Sequence, residues 1–219
     1  MPLESVTVRP GFVNQITFAG LFGDNVGVIE DMQDEARALL QAGEYGHALA
    51  EFSVLREIRS RREGPYSPMY LSNLHDSVRC MSQLQLWSDS TPLCRELHGK
   101  YVRTHGRGQA DTVDVAKHWA WALVHLNDHP PAVRLYLLTA DALWDIDRPQ
   151  AHRLLGAALA HRHDVDPEAL ASPGTIDGVG LRHLEDVLAD LRDLRAGLPR
   201  DVESDAAAFE RTTIDGLVA

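Results

Sequence analysis

The feature that most constrains this chain is a pair of residue types that recurs every 42 positions, from 48 to 90 and from 90 to 132. Each unit places a flat ring three residues before a small residue. The pairs are Tyr45 with Ala48, Trp87 with Ser90, and His129 with Ala132. Two helices approach closely only where a side chain is small, and a ring beside that point can pack into the turn that joins them. The spacing therefore predicts helical hairpins that stack into one array.

Helical periodicity supports this interpretation. Between residues 30 and 162, apolar side chains recur every three or four positions, in segments separated by turns such as EGPYSP and HGRGQAD. We expect an all-α fold, a right-handed array of antiparallel helical hairpins over residues 29–147. Residues 1–28 contain several glycines, so we expect an extended or irregular segment there. Residues 197–219 are expected to form an acidic tail.

A fourth hairpin is not expected. Ala169 takes the next turn position, but it lies in PEALASPG, which lacks the pattern of a hairpin. Residues 148–196 are interpreted as capping helices that cover the open end of the array. One such helix is predicted at about 179–196, where Leu181, Leu184, Leu188 and Leu191 share a face.

The first unit carries the pattern Gly-x-Tyr-x-x-Ala at Gly43, Tyr45 and Ala48, and the other two units match it by residue type. Over about residues 29–147 the chain therefore resembles the tetratricopeptide repeat family, in its 42-residue, kinesin-light-chain-like form. The resemblance implies a concave groove, lined by the first helix of each hairpin, that binds a protein or peptide segment.

The resemblance also implies which side chains line that groove, namely those ten, six and two residues before the glycine position of each unit. They are Gln33, Arg37, Gln41, His75, Arg79, Gln83, Lys117, Trp121 and His125. None is acidic, although the chain has 32 acidic and 21 basic residues. Amides and cations bind carbonyl and carboxylate oxygens well. We expect an acidic segment or a free C-terminal carboxylate as the partner; the alternative is a solvated helix face without function.

Composition bears on the remaining classes of function. A net charge of −11 argues against non-specific nucleic-acid binding. No secretory signal and no apolar run long enough to cross a membrane is seen, so a cytoplasmic location is expected. The two cysteines, Cys80 and Cys94, are interpreted as small core residues rather than ligands or nucleophiles. No cofactor is predicted, and the oligomeric state is left open.

No phosphate-binding loop or nucleophile motif occurs, so no catalytic residue is proposed and a non-catalytic role is favoured. One alternative is a metal-dependent enzyme, or an accessory subunit of a biosynthetic enzyme, that uses His118, His125, His161 or His163. The preferred interpretation is that those histidines do not bind a metal, because none stands in a ligand motif. His129 suits the ring position of a turn. A second alternative is a peptide or metabolite sensor in which residues 1–28 fold over the groove.

Overall fold

The computed structural model describes residues 25–197, and the predictions for residues 1–24 and 198–219 lie outside that range. The predicted all-α class is confirmed. The helices are α1 (Asn25–Gln41), α2 (Tyr45–Glu63), α3 (Pro68–Gln83), α4 (Trp87–Thr104), α5 (Ala110–His125), α6 (His129–Leu143), α7 (Arg148–Ala160), α8 (Pro167–Ala171) and α9 (Leu184–Gly197). Two short strands are β1 (Thr175–Ile176) and β2 (Val179–Gly180). Residues 25–28 form the first turn of α1 rather than part of an irregular segment.

The first three hairpins turn in the same way at 42-residue intervals. The residue that reverses the chain has a left-handed backbone in each turn, with φ of 79° at Gly43, 57° at Gln85 and 56° at Asn127. One residue later, a backbone N–H donates to the carbonyl five positions back, at 2.9 Å in all three turns. This is the Schellman motif, which satisfies the last carbonyls of a helix. It explains why glycine suits the position, since glycine takes a positive φ without steric cost.

The small residues predicted at the helix crossings are confirmed as core residues. Ala48, Ser90 and Ala132 are each fully buried. The thiols of Cys80 and Cys94 are also buried, and burial raises the pKa of each to about 12. Both cysteines therefore behave as small apolar side chains, as expected from their positions.

The C-terminal part differs from the sequence prediction in one respect. Residues 179–183 are not helical, because Val179–Gly180 pairs antiparallel with Thr175–Ile176. The connecting residues, Asp177 and Gly178, both have positive φ, of 51° and 76°. Asp-Gly favours this type of two-residue hairpin turn, and that local preference overrides the helical periodicity of the flanking leucines. Helix α9 therefore begins only at Leu184.

Helix α9 nevertheless covers the end of the array. Leu188 and Leu191 are buried against the core that α6 and α7 contribute, and Leu181 and Leu184 pack on its edge. Trp144 also links these helices, since its ring is nearly parallel to those of His152 and His183, with centroids 6.2 and 6.3 Å away. We retain as a proposal the division into hairpins at 29–147 and capping helices at 148–196.

We expect Gly43→Ala to lower the free energy of unfolding by about 1–2 kcal/mol, because alanine is strained at a left-handed position. A Cβ atom there would meet no other atom within 4 Å, so the cost is conformational and not a clash. Gly46, in the first turn of α2, is equally open and supplies the control. Gly46→Ala should be neutral or stabilise by up to about 1 kcal/mol. Urea denaturation measures both changes.

Gln85→Gly extends the same test to the second turn, where it should not destabilise the protein because glycine relieves the positive φ. Equal effects of Gly43→Ala and Gly46→Ala, or a clear loss of stability in Gln85→Gly, would contradict this description of the turns.

Candidate functional site

The candidate binding surface is the side of the array formed by α1, α3, α5 and α7, here called the odd-helix face. All nine side chains that the sequence proposed lie on α1, α3 and α5. Exposed members are Arg37, Gln41, Arg79, Gln83 and His125; Lys117 and Trp121 are half-buried; Gln33 and His75 are buried. The nine side chains therefore differ in exposure. The buried ones either bind other residues of the chain or lie in the core, so they do not form part of the accessible surface.

A buried carboxylate, Asp114 on α5, organises the middle of the odd-helix face. His75 Nε2 on α3 donates to Asp114 Oδ2 at 2.9 Å, and Arg79 Nη2 donates to the same oxygen at 2.9 Å. The Tyr101 hydroxyl lies 3.3 Å from the other ring nitrogen of His75. Burial alone would raise the pKa of Asp114, but the hydrogen bond from His75 and the nearby His118 and Arg79 hold that pKa well below its usual range.

This network changes the interpretation of two proposed contacts. His75 and Arg79 compensate Asp114 and thereby join α3 to α5, so their hydrogen-bonding capacity is partly used within the chain. The sequence pattern missed Asp114 because only positions ten, six and two residues before the turn were considered. Its signal was the spacing to Lys117 and His118, three and four residues later, which places Asp114 on the same side of α5.

His118 lies beside this network and is also buried. Its Nδ1 is 2.9 Å from the hydroxyl of Ser82, which itself donates to the carbonyl of Val78. Burial lowers the pKa of His118 to about 4, although Asp114 opposes this change. At neutral pH, His118 is therefore an uncharged packing and hydrogen-bonding residue.

An aromatic platform occupies the end of the odd-helix face nearest the Gln85 turn. The rings of Trp87 and His125 stack with centroids 4.4 Å apart and planes 6° from parallel. The ring of Trp121 lies edge-on to both, with its centroid 4.4 Å from that of His125 and 6.4 Å from that of Trp87. Both tryptophans keep part of their surface in solvent. Rigid aromatic surface of this kind is typical of binding sites.

A pocket of about 410 Å³ opens between the start of α3, the end of α4 and the start of α5. Its lining includes the carboxylates of Asp76 and Asp111 and the guanidinium of Arg79, which already binds Asp114. Burial raises the pKa of Asp76, and Arg79 partly offsets that effect. The pocket thus offers two carboxylates and little free positive charge, which favours a polar or cationic group.

One group of metal-ligating side chains converges among the described residues. It comprises His129, His161 and Asp164, whose candidate ligand atoms all lie within 4.8 Å of one another. The structure thus brings His161 to His129, and does not bring it to the other histidines that the sequence suggested, since His118 bonds Ser82 and His125 stacks on Trp87.

Comparison with known proteins supports the architecture. No family model and no curated protein matches the sequence. A crystal structure from Podosopora anserina, described as kinesin light chain nearly identical TPR-like repeats, superposes with a TM-score of 0.54. The two chains are 13% identical, and the match covers 86% of this chain and 96% of the other. At that identity the likeness concerns the fold: a TPR-like array of helical hairpins.

Within residues 25–197, no helix combines the length and the apolar character needed to cross a membrane.

The depressed pKa of His118 predicts a specific pH dependence of stability. An unfolded histidine titrates near 6.5, whereas the folded one titrates at about 4. Between these values the unfolded chain binds a proton that the folded chain does not, so stability falls as pH is lowered from about 6.5 to 4. The loss from this residue is up to about 3 kcal/mol. Asp114, whose pKa is lowered, contributes only at still lower pH.

Urea denaturation at pH 7, 5.5 and 4.5 measures this dependence. His118→Asn should remove a large part of the slope, because asparagine can still bond Ser82 but does not titrate. His47→Asn, at an exposed site on α2, is the matched control and should leave the slope unchanged. If His118→Asn and the wild type show the same slope, the assignment to His118 is wrong.

Proposed function

We propose that this protein is a non-catalytic binding module whose odd-helix face holds an extended segment of a protein partner. The fold supports the general role, since TPR-like arrays present one helix face to other proteins. The observation that carries the proposal is the row of exposed amides and cations on that face. Arg37, Gln41 and Gln83 are exposed on α1 and α3, and the aromatic platform lies beyond them.

The partner segment is proposed to be acidic or to end in a free carboxylate. Burial lowers the pKa of Lys117, and neighbouring Arg153 on α7 lowers it further, while Asp114 opposes both. Neither Lys117 nor Arg153 has a carboxylate within ion-pair distance among the described residues. An anion bound between them would favour the charged form of the lysine and relieve the repulsion. Arg37 adds an exposed guanidinium on α1, which lies 3.9 Å from the exposed carboxylate of Asp34.

His75 and Arg79 act in this proposal as supports and not as contacts. Both bind Asp114 and hold α3 and α5 at a fixed separation, so the surface is rigid before a partner arrives. Gln33 is buried and is likewise assigned to the core. The contact set therefore narrows to Arg37, Gln41, Gln83, Lys117, Trp121 and His125, with Arg153 added from α7.

The pocket is proposed to fix the orientation in which the partner segment binds along the odd-helix face. Its two carboxylates, Asp76 and Asp111, repel an acidic residue and suit a basic or amide side chain. We therefore propose that acidic residues of the partner lie near Lys117 and Arg153, while a basic or polar residue enters the pocket. The sensor alternative depends on residues 1–28, most of which lie outside the described range.

Charge reversal tests the proposal, but Arg79 is unsuitable. Reversing its charge would remove the guanidinium that, together with His75, compensates buried Asp114, so a loss of binding could not be separated from a loss of stability. The informative variant is Arg37→Glu/Arg153→Glu, and the matched control is Arg61→Glu/Arg62→Glu on α2. Both double variants change the net charge equally, and all four sites are exposed.

The probe is a set of fluorescent acidic decapeptides with free C-termini, each matched by an amidated form and by a form with glutamine in place of glutamate. We expect saturable binding that weakens about tenfold in the face variant, while the control variant stays within about twofold of the wild type. Equal weakening in both variants would mean non-specific charge attraction. Absence of saturable binding by every acidic peptide would overturn the acidic preference.

A further inference from the structure

The start of α6 and the end of α7 bring together three side chains that the proposed binding function does not use. His129 is the first residue of α6, and His161 caps the C-terminal end of α7. Because the two helices run antiparallel, these ends meet, and the two imidazole rings lie with centroids 4.7 Å apart and planes 31° from parallel. Asp164 Oδ2 lies 3.7 Å from His129 Nε2.

The turn after α7 directs Asp164 toward this pair. The backbone N–H groups of Asp164 and Val165 both donate to the carbonyl of His161, at 3.1 and 3.0 Å. The chain is thereby folded back on the end of the helix, and the carboxylate reaches the first turn of α6. A buried histidine of one element, a half-buried histidine of another and a solvent-accessible carboxylate then surround one point.

His129 and Asp164 do not satisfy each other's hydrogen-bonding capacity as they stand. The distance of 3.7 Å between Asp164 and His129 is too long for a hydrogen bond. Nδ1 of His129 is buried and has no hydrogen-bond partner among the described residues. Because an unsatisfied buried polar atom destabilises the folded state, an arrangement that gives this nitrogen a partner is favoured.

We propose that His129, His161 and Asp164 bind a divalent first-row transition-metal ion, for which zinc is the appropriate probe. Two imidazoles and one carboxylate are ligands that zinc accepts, with a fourth position left to water or to an external ligand. Zinc–ligand bonds of about 2.0–2.1 Å require the ligand atoms to be closer together than the present limit of 4.8 Å. Binding therefore requires side-chain movement, and the Asp164 carboxylate, about half exposed in a turn, is the least buried of the three groups.

The repeat shows why this site occurs only at the third hairpin. The ring position before the small residue holds Tyr45 in the first unit and Trp87 in the second, neither of which is a zinc ligand in this setting. In the second unit the ring stacks on His125. Only the third unit combines a histidine at the ring position with a histidine and an aspartate at the end of the following helix.

A bound ion would connect the last hairpin to the first helix of the proposed cap. It would therefore stabilise the array at its C-terminal end, independently of any partner on the odd-helix face.

The test uses the full chain after dialysis against a chelator. Isothermal titration with zinc should give one ion per chain with a Kd below about 10 μM. Cobalt(II) should produce the visible absorption of a four-coordinate site, and zinc should raise the melting temperature. Asp164→Asn and His129→Gln should each weaken zinc binding by at least about tenfold. His163→Gln, which changes an exposed histidine next to the site, is the matched control and should bind zinc like the wild type.

Asp164→Asn separates loss of metal binding from loss of folding, because the Asp164 side chain is about half exposed. The circular dichroism spectrum of this variant should therefore match that of the wild type. Wild-type protein that shows no saturable zinc binding would overturn the proposal. Equal weakening in Asp164→Asn and His163→Gln would overturn it as well, since that result means adventitious binding by surface histidines.

Discussion

The left-handed residue at the turn of each hairpin is the constraint on which the rest of this molecule depends. Gly43, Gln85 and Asn127 reverse the chain with the same backbone geometry, and each is followed by the same hydrogen bond to the preceding helix. Because every turn uses the same number of residues, each second helix begins at an equivalent position. The small residues at positions 48, 90 and 132 are then buried in every unit.

The same constraint creates local chemistry beyond packing. The rings at the starts of α4 and α6 each face the C-terminal end of the next odd-numbered helix. At Trp87 that neighbour is His125, and the result is a stacked aromatic surface. At His129 the neighbour is His161, and the result is a pair of imidazoles beside a carboxylate. The same position of the repeat thus contributes to an aromatic platform in one hairpin and to a candidate metal site in another.

Much of the fold could be predicted from the sequence, because a periodic pattern is visible in short stretches of residues. The spacing predicted the buried small residues, and a glycine two residues before a ring indicated the first hairpin turn. Features that depend on distant residues were not predicted. Asp114 is an ordinary acidic residue in the sequence, and only the packing of α3 on α5 reveals that it binds His75 and Arg79. The strand pair at 175–180 was missed because leucine periodicity outweighed its Asp-Gly turn.

The account depends most directly on the register that the turns impose on the helices, which NMR of the Trp87 and His125 rings would test. With ring centroids 4.4 Å apart and planes nearly parallel, strong nuclear Overhauser effects between the indole and imidazole protons are expected, with upfield shifts of the imidazole signals. A slip of one residue in the Gln85 turn would rotate α4 by about 100° and separate the rings. Absence of these effects, with imidazole shifts typical of free histidine, would contradict the proposed register.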